Sequence, residues 1–265
     1  MLRQCLRWIR AQIVKKAEHF LLRVLSTGPV PQHVAFVMDG NRRYARRNQQ
    51  AIVQGHTDGF AALRKLLETC LRLHIRCVSV YAFAIDNFKR SPEEVEHLMN
   101  LAHEKLLEMA QHGQILEEYG VRLNVLGKTA LLPDYVQESI REAESLTRKN
   151  NKAILNICMP YASQDEITTA VQSAVRKSLE SDSEDCELTE DDISAQLMTT
   201  LAGSPPLEIL VRTSGVKRLS DYLLWQCSEN TQIHFCNKYW PEFGLFDFIP
   251  ILLDYQRKIW RQRLS

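Results

Sequence analysis

The stretch 33-HVAFVMDGNRRYARR-47 frames the rest of the chain. Val34 to Met38 are apolar without a break, Asp39 and Gly40 end the run, and Asn41 opens a segment holding Arg42, Arg43, Arg46 and Arg47. A short run that is apolar on both faces reads as a strand of a parallel sheet covered by helices on each side. Similar runs recur at 77–83, 121–126, 153–159, 207–212 and 232–236, with "CVSVYAF" and "AILNICM" the clearest. Helical periodicity fills 56–74, 92–118, 133–149, 162–179 and 245–262. The alternation predicts an α/β fold, a single domain with a mainly parallel six-stranded sheet flanked by helices.

Composition narrows the function classes. The 265 residues are 45% hydrophobic and 25% charged, an ordinary globular balance. A formal net charge of +1 provides no basic field over the whole molecule, so no nucleic acid is expected as a partner and phosphate recognition must be local. Seven cysteines without a CxxC pair read as reduced thiols in a cytosol-facing protein. No run reaches the roughly 18 apolar residues of a membrane span. Residues 1–27 read as an amphipathic helix and 28–265 as the main domain, with Gly28, Pro29 and Pro31 at the junction. Leu2, Leu6, Ile9, Ile13, Ala17, Phe20 and Val24 share one sector of that helix, while Arg3, Arg7, Arg10, Lys15 and Lys16 interrupt any signal-peptide core. Two readings stand for it: a helix lying on an anionic membrane surface, or one packing on the domain. The acidic segment 178–192 reads as a solvated loop leading to a helix capped near Thr189.

In open parallel sheets, ligands bind beyond the carboxyl ends of the strands. Polar clusters follow four of the predicted strands: Asp39 to Arg43, 84-AIDNFKR-90, 212-RTSGVKRLS-220 and 237-NKYWPEF-243. Gly40 lets the backbone approach a ligand, and Arg42 or Arg43 can fork onto phosphate oxygens. An aspartate among phosphate-binding groups fits Mg²⁺ bridging Asp39 to a diphosphate; the other reading is a capping Asp beside exposed arginines. Asn87 and Arg90 stand at a helix start, and Arg212, Arg218 and Ser220 can hold a second anion. His56 either hydrogen-bonds a phosphate or is structural. Neither GxxxxGK[ST] nor GxGxxG occurs. Two diphosphate-sized sites with no nucleophile triad imply transfer between two phosphorylated substrates.

At "HVAFVMDGNRRYARR", "GHTDGF", "VYAFAIDNFKR", "LVRTSGVKRLSDYLLWQ" and "WPEF" the chain resembles the cis-prenyltransferases, particularly their eukaryotic members. The resemblance implies a sheet enclosing a hydrophobic tunnel, and successive addition of isopentenyl diphosphate to farnesyl diphosphate to make long-chain polycis-polyprenyl diphosphate for dolichol and protein glycosylation. It implies that Asp39 coordinates Mg²⁺ and assists diphosphate departure, while Gly40, Asn41, Arg42, Arg43 and His56 hold the allylic diphosphate. Asn87 and Arg90 would sit by the reacting carbons, with Asn87 in proton removal. Arg212, Arg218 and Ser220 would hold isopentenyl diphosphate, and Glu242 would be a second metal ligand across a subunit boundary. Val95, Leu98, Met99, Ala102, Leu106 and Met109 either line the tunnel or form plain core.

The chain departs from many relatives at Arg42 (glycine in bacterial members), Ala84 (serine), Ile52 (a phosphate-binding arginine) and Val216 (an acid). It ends "WRQRLS" where homodimeric members carry an Arg-x-Gly motif, so a heteromer with a Nogo-B-receptor-type subunit supplying that motif is expected. The expected location is the cytosolic face of the endoplasmic reticulum membrane, peripherally bound. Two other readings stand: a noncatalytic subunit of such a complex, and an aspartate-based phosphohydrolase, in which Asn41 occupies the place of a second aspartate.

Overall fold

The computed structural model describes residues 12, 16–111, 114–180 and 187–264. Six strands form one sheet: β1 (His33–Val37), β2 (Cys77–Tyr81), β3 (Val121–Leu126), β4 (Ala153–Cys158), β5 (Ile209–Arg212) and β6 (Gln232–Phe235). They lie in the order β3-β4-β2-β1-β5-β6, and every pairing is parallel. The expected mainly parallel six-stranded sheet is therefore present and wholly parallel. From β1 the chain builds toward one edge through β2, β3 and β4, then crosses to place β5 on the other side of β1. The crevice between β1 and β5 is thus the point where the winding reverses, the usual place for a ligand in such sheets.

The strands end earlier than their apolar runs. β1 stops at Val37 because the Asp39 N–H turns back to the Val37 carbonyl, 2.9 Å away, and leaves the ladder. Helices cover both faces: α1 (16–25), α2 (Asn41–Arg47), α3 (Ile52–Arg72), α4 (Pro92–Gln111), α5 (Gln114–Glu118), α6 (Asp134–Thr147), α7 (Ser163–Glu180), α8 (Glu190–Ser194), α9 (Met198–Leu201) and α10 (Leu245–Leu264). Of the helix expected over 92–118, α4 and α5 are helical as described, and 112–113 between them lie outside the described residues. Thr189 caps α8 in a reciprocal box with Asp192, as the acidic first turn predicts.

The larger core lies where β1 to β5 meet α3, α4, α6 and α10, with Phe36, Leu155 and Phe248 fully buried. Cys70, Cys77 and Cys158 are buried free thiols; Cys5 and Cys186 lie outside the described residues, as do residues 1–11 and 13–15 of the predicted N-terminal helix. In α1, Leu22 and Leu25 pack on the domain, and the Leu25 carbonyl accepts from Gln256 Nε2 at 2.7 Å. The described members of the predicted apolar sector face the other way: Phe20 is 68% and Val24 51% exposed. Among the described residues no helix is long and apolar enough to cross a membrane.

A buried polar row crosses the sheet inside this apolar setting. His33 on β1 shares a hydrogen bond with the Ser79 hydroxyl on β2 (2.7 Å), Ser79 accepts from Asn156 Nδ2 on β4 (3.0 Å), and Asn124 Nδ2 on β3 donates to Asn156 Oδ1 (3.0 Å). The Pro205 carbonyl, 2.8 Å from His33 Nδ1, fixes the proton there, so Nε2 accepts from Ser79. Burial, opposed weakly by the Pro205 bond, lowers the His33 pKa from 6.5 to about 4. Below the ordinary value the unfolded chain takes up a proton that the folded chain refuses, so stability falls as pH drops from 6.5 toward 4, by up to about 3 kcal/mol from this group. Urea unfolding at stepped pH should show that His33→Leu is less stable than the wild type at pH 7 and that the gap closes toward pH 4.

Candidate active site at the carboxyl ends of the central strands

Asp39 and Arg212 meet across the β1/β5 crevice. Arg212 closes β5 and is 3% exposed; its Nη2 donates to Asp39 Oδ2 at 2.9 Å and its Nη1 to the Ser220 hydroxyl at 2.6 Å. Arg43, one helical turn beyond Asp39, donates to Asp39 Oδ1 at 3.0 Å and to the Ser214 hydroxyl at 2.7 Å. Burial pushes the Asp39 carboxyl up, but hydrogen bonds from Arg212 and Ser214 and the charges of Arg43 and Arg212 outweigh it and hold the pKa below its usual value. The aspartate is therefore an anion at neutral pH.

Gly40 makes the turn from strand to helix possible. Its φ is +107°, and a Cβ there would stand 2.8 Å from the Tyr239 ring. Asn41 then presses against α3 at Gly59, where a Cβ would come within 2.4 Å of Asn41 Oδ1. Thr213 ties the two strands together: its buried hydroxyl accepts from the Asp39 N–H (3.0 Å) and donates to the Asp39 carbonyl (2.7 Å).

A second group of charges surrounds Glu94 on α4. Arg90 Nη1 donates to Glu94 Oε1 at 2.7 Å, Arg42 Nη1 lies 3.6 Å from Oε2, and His56 Nε2 lies 3.7 Å from Oε1. His56 is held neutral by burial and then by the Arg90 charge, which together take its pKa to about 4 despite Glu94. His56 Nε2 and Asn41 Oδ1 are buried polar atoms without a hydrogen-bond partner in the protein, and both residues line the cavity described next.

Two adjoining polar cavities, about 690 and 400 Å³, gather the residues that the sequence singled out. Asp39, Asn41, His56, Arg90 and Arg218 line both; Asn87, Arg212 and Ser220 line the larger; Gly40, Arg42 and Arg43 line the smaller. Glu242 lines neither and pairs with Arg47. An apolar cavity of about 130 Å³ joins them, sharing Met38, Asn41, His56, Ala82 and Leu98 with the larger polar one. Leu98, Ala102, Leu106 and Met109 of α4 line it as expected, whereas Met99 is buried in the core and Val95 packs against it.

Several contributing residues were not singled out from the sequence. Thr213 and Ser214 hold Asp39 and Arg43, Tyr239 underlies Gly40 and lies 5.6 Å from the Arg43 guanidinium, and Tyr81 donates to the Tyr161 carbonyl at 3.1 Å and to the Ser220 carbonyl at 3.4 Å. The tight "RTSG" turn was the available signal for the first two.

An all-parallel sheet whose winding reverses at an acid ringed by arginines, with an apolar cavity opening from it, is an arrangement for joining phosphorylated apolar substrates. A family model described as "Putative undecaprenyl diphosphate synthase" matches residues 37–263, and the chain belongs to that family, the cis-prenyltransferases. Its activity class is accordingly that of a prenyl-transferring enzyme. It is 42% identical to a dehydrodolichyl diphosphate synthase complex subunit of Schizosaccharomyces pombe, over 95% of this chain and 93% of that one. It is 40% identical to the tritrans,polycis-undecaprenyl-diphosphate synthase (geranylgeranyl-diphosphate specific) of Thermococcus kodakarensis, over 91% and 90%. Among solved structures it resembles lavandulyl diphosphate synthase from Lavandula x intermedia in complex with dimethylallyl diphosphate, with a TM-score of 0.79 and 26% identity over 85% of this chain and 95% of that one.

Replacing Thr213 by the isosteric valine removes both bonds to the Asp39 backbone while keeping the volume. Losing these two buried bonds, with the Asp39 N–H keeping the Val37 carbonyl and the Asp39 carbonyl keeping the Trp240 N–H, should cost about 1–3 kcal/mol in urea unfolding. Prenyl transfer should fall with it, measured as turnover under conditions where the variant remains folded.

Proposed function

We propose that the chain condenses isopentenyl diphosphate units onto farnesyl diphosphate, making long-chain polycis-polyprenyl diphosphate for dolichol. The observation that carries this reading is the convergence of two arginine-rich anion sites on one carboxylate, with an apolar cavity leading away. The relatives named as dehydrodolichyl diphosphate synthase subunits support the dolichol product. The primer is the finer element of the proposal, since the archaeal relative is named as geranylgeranyl-diphosphate specific.

In this reading Gly40, Asn41, Arg42, Arg43 and His56 hold the allylic diphosphate, whose oxygens would give the unpartnered His56 and its neighbours a ligand. Arg212, Arg218 and Ser220 hold isopentenyl diphosphate. Asn87 and Arg90 face the reacting carbons between the two, where Asn87 takes part in proton removal. The departing diphosphate gathers negative charge as the bond breaks, and fixed guanidinium groups stabilise it without reorganising.

Mg²⁺ fits the residues present. Asp39 offers an anionic carboxylate at the cavity wall, and among the described residues no group of three acids, histidines or cysteines could cage a metal unaided. Diphosphate oxygens and water would complete the shell, as is usual for this ion. Bound there, it supplies further stabilisation of the leaving diphosphate. Because Glu242 lines neither cavity, ligation across a subunit boundary is the form in which its metal role is proposed.

The heteromer proposal has support from relatives named as complex subunits; a Nogo-B-receptor-type partner supplying an Arg-x-Gly motif is its specific form. Peripheral contact with the cytosolic face of the endoplasmic reticulum membrane is supported by the exposed Phe20 and Val24 on α1. The noncatalytic alternative is not favoured, since the acid and its arginines are all in place.

The test is an elongation assay with farnesyl diphosphate, labelled isopentenyl diphosphate and Mg²⁺, with and without a candidate partner subunit. Arg212→Ala should raise KM for isopentenyl diphosphate by at least about tenfold, the equivalent of one 1.4 kcal/mol charge-assisted contact. Asp39→Asn should instead lower kcat. Absence of any chain elongation by the wild type, alone or with partner, would refute the proposal.

A further inference from the structure

The loop that follows Arg218 holds a backbone conformation that side chains oppose. Ser220, Asp221 and Leu223 have φ values of 53°, 59° and 48°, all in the left-handed region. None is a glycine, so the surrounding structure must hold the loop in this form. Ser220 is the residue that depends on it. Its hydroxyl accepts from Arg212 Nη1 at 2.6 Å and from Arg218 Nε at 3.2 Å. With both lone pairs engaged, its one proton is left for a further acceptor, the place of a phosphate oxygen.

The hold comes from the start of α7, a helix whose first N–H groups have no partner within it. The Ser163 N–H donates to the Asp221 carbonyl at 2.8 Å, and the Gln164 N–H donates to Asp221 Oδ1 at 2.9 Å. Asp221 thus caps a helix that begins far earlier in the chain. The clasp is reciprocal, because the fully buried Ser163 offers its hydroxyl to the Leu224 N–H at 2.9 Å. Between these bonds the buried Tyr222 ring stacks on Tyr81 of β2, with centroids 4.4 Å apart.

Asp221, Gln164 and Ser220 all line the larger polar cavity. A carboxylate in that wall repels an incoming diphosphate, so attraction for substrate does not account for it. Its use is geometric: it accepts from the helix while its backbone turns left-handed, and the positive end of α7 favours its charge.

We propose that Asp221 and Ser163 are positioning residues for isopentenyl diphosphate, and that their clasp between α7 and the loop 220–224 holds the Ser220 hydroxyl where Arg212 and Arg218 meet it. The inference rests on the elongation reading above. Asp221 acts through Ser220 and not on the substrate. The allylic site around Asn41 and His56 has no share in the clasp, so the two substrates should respond differently to its loss.

The experiment measures KM for each substrate with the full chain, together with its partner subunit where activity requires one, using farnesyl diphosphate, labelled isopentenyl diphosphate and Mg²⁺. Asp221→Ala and Ser163→Ala should each raise KM for isopentenyl diphosphate by at least about fivefold, the equivalent of one net hydrogen bond, and leave KM for farnesyl diphosphate unchanged. Asp221→Asn keeps an oxygen for the Gln164 N–H and tolerates the left-handed backbone, so it should restore the wild-type KM. Unchanged KM in both alanine variants would overturn the proposal, as would an equal rise for the two substrates or an asparagine variant as impaired as the alanine one. Urea unfolding separates the clasp from a general role in stability: a destabilised variant with wild-type KM values also refutes it. If Asp221→Ala does not fold, Ser163→Ala decides by the same criterion. A wild type that elongates while the variants keep its KM values sinks this inference alone; a wild type that does not elongate sinks the functional reading beneath it.

Discussion

Arg212 is a nearly buried cation, and the folded protein must give it an anion. A guanidinium removed from water is costly unless paired and hydrogen-bonded, and the fold meets this with Asp39, brought from a segment more than 170 residues earlier in the chain. The pairing is possible only because β5 returns to lie beside β1, and the Thr213 hydroxyl then holds the two strand ends in register. Asp39 in turn fixes Arg43, while Arg212 orients Ser220 and donates to the Arg218 carbonyl. The two proposed diphosphate sites are therefore not independent attachments to a scaffold. They share one ion pair, and a displacement of either half is felt by both.

Around Glu94 the logic is different. Arg42, Arg90 and His56 belong to a region suited to an anion, yet without one their charges would repel across a partly buried space. Glu94 supplies the missing negative charge from within the chain, and the depressed proton affinity of His56 keeps a third cation from forming. In the proposed reading, diphosphate entering here would exchange one anionic partner for another. Its binding free energy would be the difference between the two arrangements, which favours a tight initial structure without demanding extreme affinity for substrate.

The sequence carried much of this because parallel strands buried on both faces leave a plain mark: Val34 to Met38 and Ala153 to Cys158 are apolar almost throughout, and after β1 polar residues resume one residue past the strand end. All the site residues that the sequence marks, except Glu242, line the two polar cavities. What was illegible depends on approach between distant segments. Nothing local to Gly59 announces that Asn41 rests on it, or local to Thr213 that its hydroxyl clasps Asp39. The N-terminal helix shows a further limit. Periodicity groups Ala17, Phe20 and Val24 on one face, but Leu22 and Leu25 make the opposite face apolar too, and only docking against the domain determines that the second is covered. Glu242 was placed by its neighbourhood in "WPEF", while its side chain turns to Arg47.

The polar row through His33, Ser79, Asn156 and Asn124 has a consequence for how this sheet can change over evolutionary time. Each member satisfies a neighbour on an adjoining strand, with Ser204 closing the row against Asn156 at 2.8 Å. Exchanging any one for an apolar residue strands the next, whereas replacing the whole row by well-packed hydrocarbons would leave only the groups at its ends, the Pro205 carbonyl and the Ser204 hydroxyl, to find other partners. Intermediate sequences are thus less stable than either end point. Residues on four strands, none of them at the site, are bound to one another's substitutions, and homologues should divide into those that keep the row and those that have lost all of it.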